Sequence, residues 1–453
     1  MMNEMRTIVA LSTPAGSGAL GVIRLSGPEA VSIAQKIFKG KDLTKQASHT
    51  LHFGLIMDAD VIIDEVVVGI FIAPKSYTRE DVVEITCHGS SYIIQRVIAL
   101  LIEKGAHAAK PGEFTLQAFM NGAFDLSRAE AVADLIASNS RSSHEVAMKQ
   151  MRGGFANELL GLREKLVHFA SMIELELDFS EEDVEFADRT ALKSLILQIN
   201  TVIERLIASF ELGNVIKNGV PVVIAGKPNV GKSTLLNTLL NEERAIVSDI
   251  AGTTRDTIED EINIGGVIFR FIDTAGIRET ADLIEAKGVE RTLEKMKQAH
   301  LILYMVDSEQ NLIDIKLQLS GLEKQDNRYI VLVNKSDLLN DEKRAELQKL
   351  DVHFISAKEH TAVETLKETL LKLVNLSGLN SNETVLTNRR HVEALTHTQN
   401  SLSKVLQNID HPIASDFLAV DIKQAIHYLG EIVGEVTTDD LLENIFNKFC
   451  IGK

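Results

Sequence analysis

Eight residues, Gly226-Lys-Pro-Asn-Val-Gly-Lys232-Ser233, have the types and spacing that hold a polyphosphate. Glycines let backbone N–H groups wrap the anion, and a helix opening behind them adds positive potential. Asn229, Val230, Gly231, Lys232, Ser233 and Thr234 would line the phosphates. Lys232 reaches the β/γ-phosphates, where its charge serves catalysis, and the Ser233 hydroxyl is a ligand for Mg²⁺. In a chain of this length, chance gives such a match with a probability on the order of one in a hundred. Three further motifs follow in order. Asp273-Thr274-Ala275-Gly276 brings a carboxylate near Mg²⁺ and a glycine N–H near the γ-phosphate. Asn334-Lys335-Ser-Asp337 offers an aspartate that accepts the N1–H and 2-amino hydrogens of guanine, an edge adenine lacks. Ser356-Ala357-Lys358 offers a backbone N–H to the guanine oxygen. Together they specify a guanine-nucleotide-binding domain.

Two departures bear on hydrolysis. Ile277 follows Gly276, where Ras-like GTPases carry a glutamine that orients water. An alkyl chain cannot do this, but the loop from Glu279 to Glu285 supplies carboxylates. Asn229 puts a neutral amide oxygen beside the phosphates, a donor suited to a weakly hydrated monovalent cation. The segment Ser248-Asp249-Ile250-Ala251-Gly252-Thr253-Thr254 adds backbone carbonyls around the nucleotide, and Thr254 a second Mg²⁺ hydroxyl.

These motifs need strands that end beside them. Val220–Gly226, Ile268–Asp273, Leu301–Asp307 and Tyr329–Asn334 are continuous apolar runs, as strands buried on both faces of a parallel sheet are. Ahead of them, short β-rich runs (Thr7–Leu11, Gly21–Leu25, Val61–Ile63, Val66–Ile72, Val82–Cys87) precede a helix over Ser91–Lys104. After Pro111-Gly112 the apolar spacing turns helical, with stripes at Leu159, Leu162, Leu166, Phe169, Ile173 and at Leu192, Leu195, Ile196, Ile199, Val202, Ile203, Leu206. It returns with Leu418, Ile422, Ile426 and Leu429. The expected architecture is α/β multidomain, with a Ras-like P-loop domain inserted into a discontinuous all-α domain and an α+β domain in front. Boundaries are expected at 1–118 (N-terminal), 119–215 (helical, first half), 216–377 (GTPase) and 378–453 (helical, second half).

Of 453 residues, 45% are hydrophobic and 25% charged, which excludes a disordered chain. With 47 Lys+Arg against 64 Asp+Glu, the net charge of −17 excludes a general nucleic-acid coat. No apolar run is long enough for a membrane span. Pro14, Gly16, Ser17 and Gly18 interrupt the one stretch resembling a signal segment. Cys87 and Cys450 form no disulfide framework or zinc knuckle, so a reducing cytoplasm is expected. The histidines have no ligand spacing, leaving Mg²⁺ and K⁺ as the expected metals.

The whole chain resembles the MnmE (TrmE) family of tRNA-modifying GTPases. The flanks carry the resemblance: Gly21-Val-Ile-Arg-Leu-Ser-Gly27, Pro111-Gly-Glu-Phe-Thr115, Asp125-Leu-Ser-Arg-Ala-Glu-Ala-Val-Ala-Asp-Leu-Ile136, Asp178-Phe-Ser-Glu-Glu-Asp183 and Cys450-Ile-Gly-Lys453. The family implies an N-terminal domain that binds 5-formyl- or 5,10-methylene-tetrahydrofolate and forms a homodimer. With an FAD-dependent MnmG-family partner, it modifies tRNA wobble uridine at C5, adding an aminomethyl or carboxymethylaminomethyl group from a folate one-carbon unit. Its GTPase is activated by potassium-dependent pairing of G domains. Carried onto this chain, Asn229, Ser248, Ile250 and Thr253 look like potassium ligands, and Glu285 aligns with the glutamate that positions the attacking water. Arg24, Glu84, Ala123 and Lys453 match folate-contacting positions, although many members carry Lys or Arg where Ala123 stands. The alternative is a switch GTPase of ribosome maturation without modification chemistry, which shares the G motifs but not the flanks.

Overall fold

The computed structural model describes residues 6–178, 188–243, 260–272, 299–307, 315–316, 328–374, 384–409 and 415–453. The acidic loop after Asp178 and most of the polar linker at 377–384 lie outside these. Contacts divide the chain into two compact units, one of 1–133, 150–199 and 394–453, the other of 134–149 and 200–393.

The first unit is built on a seven-stranded sheet. Its elements are β1 (Ile8–Leu11), β2 (Leu20–Ser26), α1 (Ala30–Gln35), β3 (Phe38–Lys39), β4 (Thr50–Asp58), β5 (Val61–Phe71), β6 (Val82–His88), α2 (Ser91–Glu103) and β7 (His107–Ala108). The order is β3-β4-β5-β6-β2-β1-β7, antiparallel except for the β1–β7 pair. Alternation decides what each face does. Ile23 and Leu25 point into a core with Val83 and Ile85, closed by Ile33 of α1 and Ile94, Val97 and Leu101 of α2. Arg24 points the other way, directly across from Glu84. Farther along that face stand Gly69 and, on β4, Leu51 and Phe53, which are 73% and 67% exposed.

Strand β4 does not show in the sequence as an amphipathic strand. Leu51 and Phe53 face outward, while His52, Gly54 and Ile56 are buried. Gly54 belongs inside because a Cβ there would lie 2.4 Å from the Phe38 ring.

Helices follow: α3 (Glu113–Met120), α4 (Leu126–Ala137), α5 (Arg141–Met151), α6 (Gly154–Asp178), α7 (Arg189–Ala208) and α8 (Phe210–Asn218). The two stripes read from the sequence lie on α6 and α7, and most of their residues are buried.

The second unit holds a six-stranded sheet. It comprises β8 (Val220–Gly226), then α9 (Lys232–Glu243), β9 (Asp260–Ile264), β10 (Val267–Phe271), β11 (Leu301–Asp307), β12 (Arg328–Asn334), α10 (Asp341–Leu347), β13 (Val352–Phe354) and α11 (Val363–Val374). The order is β13-β12-β11-β8-β10-β9, parallel except for β9 against β10. Val222 and Ile224 enter a core with Leu235, Leu236 and Leu239 of α9, while Val223 and Ala225 enter a second core on the opposite face. Burial on both faces explains why β8 has no polar alternation.

The chain then forms α12 (Arg389–Asn408), α13 (Ser415–Val433) and α14 (Asp439–Phe446). α13 packs along α6, where Arg163 donates to the Ile426 carbonyl at 3.2 Å and pairs with Glu435. On α14, Phe446 and then Phe449 join Leu126 and Ala129 of α4 in one cluster, which fixes where the last residues run.

Candidate functional site

Strand β8 delivers the chain to the phosphate loop. Gly226 has φ 143°, and a Cβ there would lie 2.3 Å from the Met305 carbonyl oxygen on β11. Gly231 has φ 100°, with its Cβ position 2.1 Å from Asn334 Nδ2. Neither site admits a side chain. Asn229, exposed at φ 64°, adopts the left-handed conformation that asparagine tolerates better than most residues. The loop therefore turns tightly into α9, which begins at Lys232. The Lys232 ammonium donates to the carbonyls of Gly226 (2.9 Å) and Lys227 (2.8 Å), pinning it across the loop. Burial lowers its pKa, and an adjacent phosphate would restore the charged form. Ser233 and the exposed Thr234 occupy the first turn of α9.

A second loop cluster stands at the same end of the sheet. Asn334, 3% exposed at the end of β12, uses both ends of its amide. Nδ2 donates to the Val230 carbonyl at 2.8 Å, and Oδ1 accepts from the Ala357 N–H at 3.0 Å. One side chain thus fastens the phosphate loop to the Ser356–Lys358 loop. Thr238 of α9 braces that loop by donating to the Ala357 carbonyl at 2.8 Å. Lys335 is left-handed (φ 59°), and its ammonium meets Asp307, at the end of β11, at 2.7 Å. The Ser356 hydroxyl donates to Asp337 Oδ1 at 2.6 Å, and this bond holds the exposed carboxyl below its usual range. An ionised carboxylate held by one hydroxyl keeps acceptor capacity for two further N–H groups.

The sequence left open which N–H of the 356–358 loop meets the base. The Ala357 N–H is engaged by Asn334 and the Ser356 N–H by the Thr361 carbonyl. That of Lys358 has no partner among the described residues. Ser248 to Thr254, Asp273 to Gly276, Ile277 and Glu285 lie outside the described residues. No cluster of His, Cys, Asp or Glu suited to a metal occurs among the described residues. The Ser233 hydroxyl fits a Mg²⁺ whose other ligands are mostly phosphate and water.

The N-terminal sheet presents a different kind of site. Arg24 Nε and Nη2 both donate to Glu84 Oε1, at 2.9 and 2.8 Å, across the β2–β6 pair. The guanidinium lies 5.6 Å from the centre of the Tyr77 ring and 5.9 Å from that of Phe114. The C-terminal tail completes the group. The Gly452 carbonyl accepts from Arg24 Nη1 (3.4 Å) and from Ser12 Oγ (3.2 Å). At φ 91°, with its Cβ position 2.1 Å from the Leu11 carbonyl oxygen, Gly452 admits no side chain. Lys453 lies in the field of Arg24, Glu84 and Cys450, and burial is the main cause of its lowered pKa. Cys450 is exposed, whereas Cys87 is buried in β6 and its thiol is pushed up to about 11 by burial. Arg24, Glu84 and Lys453 therefore come together. The Ala123 N–H donates to the Ala118 carbonyl in the turn after α3. Tyr77, Phe114, Ser12, Asp307 and Thr238 are site residues the sequence did not single out. Asp307 alone carried a signal, a carboxylate at the end of an apolar strand.

Two family models match the chain: "GTP-binding protein TrmE N-terminus" over residues 7–123 and "MnmE helical domain" over residues 126–450. The chain is 57% identical to the tRNA modification GTPase MnmE of Cytophaga hutchinsonii, covering 100% of this chain and 98% of that one. It is 53% identical to the protein of the same name from Christiangramia forsetii, over 99% of each. The crystal structure of a point variant of Aquifex aeolicus Era bound to GDP.AlF4- matches 40% of this chain and 66% of that one, at 28% identity and a TM-score of 0.27, too partial to carry an argument. Two domain models in series and identity along the full length establish that the chain belongs to the MnmE family of tRNA modification GTPases.

Proposed function

We propose that the protein hydrolyses GTP and couples this to modification of the tRNA wobble uridine at C5. The observation that carries the reading is the Asn334 amide, which ties the phosphate loop to the loop bearing the guanine-facing groups. Triphosphate and base are then recognised by one rigid unit. Lys232 holds phosphate charge, Ser233 with Thr254 binds Mg²⁺, and Asp337 with the Lys358 N–H selects guanine. Glu285 positions water in place of a glutamine. Asn229 with Ser248, Ile250 and Thr253 holds K⁺, whose charge serves where other GTPases use an arginine finger.

In the N-terminal unit, Arg24, Glu84 and Lys453 bind a tetrahydrofolate that supplies the one-carbon unit. Glu84 suits the 2-amino and N3 edge of a pterin, and the two cations suit its anionic parts. The exposed Leu51, Phe53 and Val67 support a homodimer formed through this sheet. An FAD-dependent MnmG-family protein is the second partner, in the cytoplasm. Among the described residues, no helix is long and apolar enough to cross a membrane.

Wobble-nucleoside mass spectrometry of tRNA from cells with and without the gene tests the activity. Loss of the C5-modified uridine in the deletion is expected, and restoration by the wild-type chain but not by Lys232→Ala. Unchanged nucleosides with altered ribosomal subunit profiles would move the chain to ribosome maturation. GTPase rates in matched KCl and NaCl test the cation. A rate advantage in K⁺ that Asn229→Ala abolishes is expected, and equal rates would remove the potassium site.

A further inference from the structure

A reduced folate is a flat bicycle joined through an aromatic ring to an anionic glutamate tail. Such a ligand needs a hydrogen-bonding end, an apolar wall and a cation at the far end. The first two follow one another along the N-terminal unit. Glu84 pairs with Arg24 at 2.8 Å, Arg24 lies 5.6 Å from the Tyr77 ring centre, and Tyr77 lies 5.6 Å from Phe124, centroid to centroid.

Where this track ends, two loops are laced together. Asn121 Nδ2 donates to the Thr78 carbonyl at 2.8 Å, and Arg79 Nη1 donates to the Asn121 carbonyl at 3.2 Å. Arg79 is exposed and holds a left-handed backbone (φ 60°), unusual for a long side chain. Its guanidinium reaches the turn at Gly122, where a Cβ would stand 3.5 Å from Nη1. The one side-chain partner of Arg79 among the described residues is a neutral carbonyl, so most of its five N–H donors remain available. It forms no ion pair there, unlike Arg24, which Glu84 neutralises.

We infer that Arg79 is a specificity-determining residue of the N-terminal site, its guanidinium taking a carboxylate of the glutamate tail of a reduced folate. The inference rests on the folate reading above and adds the group that distinguishes tail-bearing ligands from a bare pterin. A planar fork suits a carboxylate through two parallel bonds. The bond to Asn121 holds that fork beside the turn instead of leaving it free in solvent.

The test is calorimetric titration of the full-length protein with two probes, 5-formyltetrahydrofolate and 6-methyltetrahydropterin, which lacks the aminobenzoylglutamate. Arg79→Gly accepts the same backbone angle, so it removes the side chain without strain. It is expected to weaken folate binding about tenfold and flatten its salt dependence, leaving the pterin unchanged. Arg79→Lys is expected to recover part of the loss. Unchanged folate affinity in Arg79→Gly would overturn the inference. So would an equal loss for both probes, which would mean that Arg79 only holds the loops. Glu84→Gln tests the parent reading separately: it should weaken both probes, and a wild-type protein that binds neither would defeat the folate reading itself.

Discussion

The two candidate sites are held in opposite ways. In the nucleotide-binding corner, internal bonds fix the framework and leave Asp337 and the Lys358 N–H with hydrogen-bonding capacity. Asn334 bonds to Val230 and Ala357, Thr238 to Ala357, and Ser356 to Asp337. In the N-terminal site, Arg24 and Glu84 hold each other, so a ligand must compete with a bond already made. The first is organised in advance and loses little on binding. The second trades one ion pair for another, which lowers affinity but makes binding sensitive to what the ligand carries. On the proposed reading, the former suits a base read at every turnover and the latter a one-carbon carrier that must enter and leave.

Substitutions should separate the two regimes, beginning with the largest effect. Asp337→Asn replaces an acceptor with an amide at an organised corner, and should lower GTP affinity about a hundredfold or more while improving xanthine nucleotides. Competition binding with GTP and xanthosine triphosphate checks this, and equal GTP affinity would remove Asp337 from the base site.

Asn334→Ala breaks two buried bonds and leaves the Val230 carbonyl and Ala357 N–H without their partner. It should cost about 2–4 kcal/mol of nucleotide-domain stability, read as an earlier thermal transition that nucleotide only partly restores. No shift would mean that the corner is not braced in advance.

Glu84→Gln and Arg24→Met should each cost about 1 kcal/mol of stability, and the double variant less than the sum. Strict additivity in unfolding experiments would show that the pair is not coupled and that the comparison fails on its N-terminal side.

The smallest effect is a pH dependence. Lys453 has its pKa lowered below the ordinary 10.5, mainly by burial. The folded state therefore binds its proton less readily than the unfolded state. The cost of keeping it charged is fully present below the lowered pKa and is relieved as pH rises through it toward the ordinary value. Anion binding runs the other way. Affinity for a tetrahydrofolate should fall about two- to fivefold over that alkaline window as the ammonium is lost. Lys453→Arg, always charged, should abolish the decline.

Much of this was legible in the chain because the chemistry and the burial share one signal. The apolar runs ending at Gly226, Asp307 and Asn334 are the observed strands β8, β11 and β12, since burial on both faces leaves no other pattern. Where a strand is covered on one side only, the reading weakened. Strand β4 hides His52 and shows Phe53, and β9 is a charged edge strand whose sequence, Asp-Glu-Ile-Asn-Ile, reads as polar. The runs at 61–63 and 66–72 are a single strand, β5, because Asp64 is buried and accepts from His88 instead of ending the ladder. Candidate residues carried by motifs can be singled out from the sequence alone. Those that act by long-range contact, Tyr77 beneath Arg24 or Gly452 against Leu11, have no local signature. The engagement of the Ala357 N–H by Asn334 likewise follows from tertiary packing alone.

The Gly452 carbonyl has a consequence for how the chain is made. It accepts from Arg24 and Ser12 across sequence separations of 428 and 440 residues. Ribosomes elongate at roughly 5–20 residues per second, so roughly 20–90 seconds pass between synthesis of those partners and synthesis of the segment that covers them. Through that interval the nascent sheet shows its arginine–glutamate pair without the Gly452 carbonyl that later meets Arg24.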